Sequence, residues 1–188
     1  MLAVGGIGPA VSALILVTHS ADKAQKKDYW RRLINFRLIT GRGLFFLLLF
    51  PVFSPVISIL ISLTLGGSLS QFRLDEQISS NFLSIIPFAI LILFLGPVPE
   101  ELGWRGFWLD KLRSRYSGLT ASLIITVGWS IWHLPLFFMP GYPLQEFTAS
   151  AARLAVYFLL LLPLSIIYAY VFYRNNRSTI APFSFISW

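Results

Sequence analysis

The stretch Pro99-Glu100-Glu101-Leu102-Gly103-Trp104-Arg105 sets two adjacent carboxylates and a guanidinium between long apolar runs. His133, in Trp129-Ser-Ile-Trp-His-Leu-Pro135, follows 33 residues after Glu100. A charge at the centre of a bilayer costs roughly 2.5–3.5 kcal/mol on the mildest insertion scale, so carboxylates in such a context need a partner or a task. Helix spacing supplies a partner for one of them. Glu101 and Arg105 stand at i and i+4 on one face, with the acid on the N-terminal side. Glu100 lies about 100° further round and can point elsewhere. Pro99 suits a first helical position, which would put both acids in a first turn, where the helix dipole favours negative charge.

The surrounding composition defines the solvent. With 56% hydrophobic and only 12% charged residues in 188, against about 25% charged in soluble domains, the chain is predicted to be all-α: a polytopic transmembrane helical bundle forming one membrane-embedded domain over 1–188. The net charge of +7 does not point to nucleic acid. The basic residues cluster beside apolar runs, where they set topology and meet anionic lipid. The absence of cysteine excludes disulfides, thiolate nucleophiles and thiolate metal sites. No cleavable signal peptide is expected, because the basic residues follow the first apolar run.

Working outward, about five spans plus an incomplete C-terminal one are expected. Leu2–Val17 is short and Gly-rich; Gly43–Leu65 is uncharged; Asn81–Pro99 runs directly into the acidic pair; Leu119–Met139 contains His133; and Leu154–Tyr173 is interrupted at Pro163. The basic connection from His19 to Arg42 is predicted to be cytoplasmic. Within it Tyr29, Trp30, Leu33, Ile34, Phe36 and Leu38 are interleaved with arginines, as in an interfacial helix lying on lipid. Gly66–Ser80, with Arg73 balanced by Asp75 and Glu76, is expected outside. The alternation puts the N-terminus outside and the C-terminus inside, and the short loops favour a bacterial cell membrane. The tryptophans read as interface anchors.

A hairpin turn near Tyr116 would bring Glu100, about 16 residues before it, and His133, about 17 after it, to one level at roughly 1.5 Å per residue. A carboxylate facing an imidazole has the parts to activate water. The same two side chains could ligate Zn²⁺, although a catalytic zinc takes three protein ligands. A lone membrane histidine is equally a helix-packing partner.

The pattern Glu100-Glu101-x-x-x-Arg105 followed by Trp129-x-x-x-His133 resembles the CPBP intramembrane proteases, which include type II CAAX prenyl endopeptidases and bacterial Abi proteins, also called the lysostaphin-resistance-protein-A-like family. The similar core covers residues 83–177. The resemblance implies an endopeptidase of membrane-associated, prenylated peptides. In it Glu100 would activate water, Glu101 and Arg105 would support it, and His133 would share the site, which would open to the cytoplasmic side. Trp129 replaces the usual Phe and is expected to serve packing. The family's last motif, His-x-x-x-Asn, has no counterpart here, since the only histidines are His19 and His133. Truncation, a shifted reading frame or loss of activity would each produce that. The alternatives to an enzyme are a catalytically impaired immunity or scaffold protein and an ion or proton pathway using the carboxylates.

Overall fold

The computed structural model describes residues 6–64, 66–69, 83 and 85–182. Those residues are helical throughout, with no strand among them. The order is α1 (Gly8–Ser20), α2 (Lys23–Ile34), α3 (Gly41–Thr64), α4 (Ile85–Leu95), α5 (Pro97–Gly103), a π-helical segment (Trp104–Leu109), α6 (Asp110–Arg113), α7 (Gly118–His133) and α8 (Ala151–Arg174). Two 3₁₀ segments, Leu134–Phe138 and Pro143–Ala149, link α7 to α8.

Among the described residues, Gly118–Phe138 and Ala151–Arg174 are long and apolar enough to cross a membrane, and Gly8–Ser20 and Phe53–Thr64 are shorter apolar helices. The expected outside connection Gly66–Ser80, with Arg73, Asp75 and Glu76, lies mostly beyond the described residues, as do Leu2–Gly5 and Phe183–Trp188.

The hairpin expected near Tyr116 is present. Arg113 donates to the Tyr116 carbonyl at 2.8 Å, and Ser117 caps α7 by accepting from the Thr120 amide. The run from Asn81 to Pro99 does not continue as one helix into the acidic pair. Gly96 breaks it, and a new helix begins at Pro97, a residue with no amide hydrogen to lose. Only Glu100 therefore lies in the first turn of α5. Beyond Gly103 the backbone widens into the π-helix, a distortion that concentrates at functional sites.

Helix α2 departs from the picture of a helix simply lying on lipid. Its N-terminus is closed by a capping box between Asp22 and Gln25. Tyr29 and Arg32, however, turn inward and are buried. Arg32 bonds Asp28 at 2.9 Å and Asp110 at 3.3 Å. Arg177, in the left-handed turn after α8, joins the same two aspartates. Burial pushes the Asp28 carboxyl up, but the Arg31 hydrogen bond and the charges of Arg32 and Arg177 outweigh it and hold the group below its ordinary value.

Glycine permits a close helix contact. A Cβ on Gly103 would lie 2.5 Å from Pro9 Cβ and 2.6 Å from the Pro9 carbonyl oxygen. Helix α1 thus rests directly on the helix that carries the carboxylates. Gly103→Ala should destabilise the fold by about 1–3 kcal/mol through overpacking, read as a lower melting temperature of the purified protein. Gly41→Ala, which meets nothing within 4 Å, should leave that temperature unchanged.

Candidate active site

Glu101 and Arg105 are both fully buried, and their carboxylate and guanidinium meet at 2.5 Å, the pairing that the i,i+4 spacing predicts. The Arg105 guanidinium carbon lies 4.8 Å from the centre of the Trp129 ring and 4.5 Å from that of Tyr168. Two ring faces thereby stabilise a cation that has no exposed surface. Arg105 Nε and Nη2 and Glu101 Oε2 have no hydrogen-bond partner among the described residues.

Glu100 points away from this pair, as the 100° rotation requires. Its Oε2 accepts the indole N–H of Trp129 at 2.8 Å. His133, one turn further along α7, bonds through Nδ1 to the Trp129 carbonyl at 2.8 Å. A carbonyl can only accept, so Nδ1 carries a proton, and when the ring is neutral Nε2 is its basic nitrogen.

Trp129 therefore touches three of the four residues singled out in the sequence. Its N–H holds Glu100, its ring face meets Arg105, and its carbonyl sets the tautomer of His133. It is neither an interface anchor nor simple packing, since it is fully buried at the centre of the site. Trp104, Trp108 and Trp132 likewise stack within the bundle, whereas Trp30 is exposed. Gly128 leaves room for Trp108, whose ring would lie 2.5 Å from a Cβ placed there.

One further polar group belongs here and was not foreseen. Tyr157 of α8 is buried, edge-on to His133 at 6.3 Å between ring centres. Its hydroxyl lies within electrostatic reach of Glu100 and has no hydrogen-bond partner among the described residues. Nothing local distinguishes Tyr157 in the apolar run of α8, and only the packing of α8 on α7 brings it to the site.

The zinc alternative meets an obstacle in the donor set. No group of three or more His, Asp or Glu residues that could hold a metal ion is gathered among the described residues. Glu100 and His133 supply two donors, and Glu101 is committed to Arg105. These residues alone do not make a catalytic zinc site.

Comparison with known proteins places the chain in a family. Residues 82–185 match the model of the type II CAAX prenyl endopeptidase Rce1-like family. CAAX prenyl protease 2 of Methanococcus maripaludis is 35% identical over 179 residues, which cover 94% of this chain and 65% of that protein. The chain belongs to the Rce1-like family of membrane proteases. It spans 65% of the length of the curated relative it matches.

Removing the guanidinium strands a carboxylate in the core. Arg105→Ala should cost about 3–5 kcal/mol of stability, measured by denaturation of the purified protein. Arg105→Lys should recover little of it, because an ammonium lacks the flat surface that packs on Trp129 and Tyr168.

Proposed function

We propose that this chain is the hydrolytic core of a membrane endopeptidase acting on prenylated, membrane-associated peptides, with water activated by Glu100. The observation that carries the reading is the arrangement on Trp129, which presents a buried carboxylate and a histidine of defined tautomer from one side chain and its own carbonyl. Glu100 takes a proton from water, and the resulting hydroxide attacks the scissile carbonyl. His133 Nε2 accepts a hydrogen bond from the same water and orients it, and the proton held on Glu100 passes to the leaving amine as the C–N bond breaks. Tyr157 donates its O–H to the oxyanion, replacing a hydrogen bond that no described residue offers it. Glu101 and Arg105 hold the helix and do not touch the substrate.

The family and an apolar groove along α7 support this substrate class. Thr126, Val127, Ser130, Ile131, Leu134 and Phe158 line an almost wholly apolar space of about 300 Å³ between α7 and α8, next to His133 in sequence. It suits an isoprenoid chain entering sideways from the bilayer. In the same reading the chain crosses the membrane five times, α2 lies on the cytoplasmic face, and the site opens to that side, supported by the concentration of Lys and Arg between residues 23 and 42.

A quenched prenylated peptide offered to the protein in liposomes tests this. Cleavage is expected, and Glu100→Ala should abolish it. Folded wild-type protein that shows no turnover, with or without added divalent metal, would overturn the proposal and favour a scaffold. Glu100-dependent ion flux without cleavage would favour a conduction pathway. Tyr157→Phe should lower kcat roughly 100-fold with little change in KM, as loss of one oxyanion donor does. Ile131→Trp should raise KM for the prenylated peptide while leaving kcat near wild type.

A further inference from the structure

Helix α2 has two faces with different tasks. The exposed stripe Lys23, Lys27, Trp30, Arg31 and Ile34 recurs at helical spacing and continues into Phe36 and Arg37. Trp30, Ile34 and Phe36 are 44%, 67% and 70% exposed, so large apolar groups alternate with cations along one edge. No acid lies within this stripe. Asp28 sits toward Arg32 and Arg177 and also bonds Arg31 at 2.8 Å, which leaves Lys23, Lys27 and Arg37 as the stripe's cations outside that cluster, and Asp22 is the N-cap.

The inner face grips the helix that carries the acidic pair at both ends of its π-helical segment. At one end the Tyr29 hydroxyl donates to the Leu102 carbonyl at 3.3 Å. The Tyr29 ring lies 3.2 Å from where a Cβ on Gly106 would be. At the other end Arg32 and Arg177 converge on Asp110. Two further bonds fasten the arm itself, Lys26 Nζ to the Thr18 carbonyl at 2.8 Å and the Thr179 amide to the Arg32 carbonyl at 3.1 Å.

We propose that α2 is a lipid-responsive strut. Its outer stripe docks on anionic phospholipid headgroups, and its inner face then restrains residues 102–110, so that anionic lipid steadies the helix bearing Glu100 and Glu101. The occupant is chosen by charge complementarity and by the interleaved Trp, Ile and Phe, which enter the acyl boundary while the cations stay at headgroup level. An acidic protein would satisfy the cations but leave those side chains in water unless it also offered an apolar groove. The link to the site rests on the proposed function, whereas docking and restraint do not.

The test needs no catalytic readout. The chain has no cysteine, so Trp30→Cys and Ile34→Cys each accept a single nitroxide in the full protein, reconstituted in nanodiscs of phosphatidylcholine with or without phosphatidylglycerol. With phosphatidylglycerol the labels should become accessible to oxygen and shielded from an aqueous nickel chelate. Lys23→Ala with Lys27→Ala should shift the docked-to-lifted ratio back roughly thirtyfold. Labels open to the chelate in both lipids would overturn docking, and labels shielded from both reagents would assign the stripe to protein contact instead. Hydrogen exchange of amides 102–110 should slow when phosphatidylglycerol is present, and Tyr29→Phe should abolish that response. Equal exchange in the two lipids would overturn the strut. Failure of peptide cleavage with both lipid responses intact would count against the proposed function alone.

Discussion

A guanidinium and a carboxylate buried against each other constrain the rest of this protein. Arg105 and Glu101 have no solvent-exposed surface. A buried pair of this kind is held by geometry more than it contributes net stability. The ring faces of Trp129 and Tyr168 enclose the cation from α7 and α8, so the pair welds three elements at one point. The register of α5 against α7 follows from it, and that register brings Glu100 to the Trp129 indole. Shifting α5 by one residue would replace the outward carboxylate by the inward one and leave the guanidinium unmatched.

The different directions of the neighbouring glutamates come from helix geometry alone, which is why they were legible before any coordinates. Spacing paired Glu101 with Arg105, and counting residues about the Tyr116 turn put Glu100 and His133 at one level. Other features were hidden because they depend on non-local packing. Trp129 looked like a bulky substitute for Phe, yet an indole N–H at the centre of an apolar helix must find an acceptor, and the nearby unpaired carboxylate was the available signal. Tyr157 gave no such signal. The break at Gly96 is signalled in the sequence by Gly96-Pro97, two residues before Pro99. Hydropathy, which averages over a window, treated the run as continuous.

The basic arm shows the same limit from another side. Composition correctly marks α2 as amphipathic and cationic, but the apolar and basic residues divide between two faces by rotation, and only coordinates show Tyr29 and Arg32 turned inward. The consequence is mechanical. The segment between the acidic pair and the hairpin turn is π-helical, a backbone form with weaker internal support than an α-helix, and it is braced from outside by a tyrosine at one end and arginines at the other. Family membership tells what chemistry the core performs in relatives, whereas this bracing explains how these residues hold an unfavourable backbone in place.

The proposal gives two adjacent buried glutamates separate tasks, one structural and one chemical. Paired thermal unfolding of Glu100→Gln and Glu101→Gln tests it most directly. Glutamine at 100 can still accept the Trp129 N–H, so that variant should melt close to wild type, whereas glutamine at 101 abandons a buried cation and should lose about 3–5 kcal/mol. Equal destabilisation by the two substitutions, or a greater loss at position 100, would contradict the account.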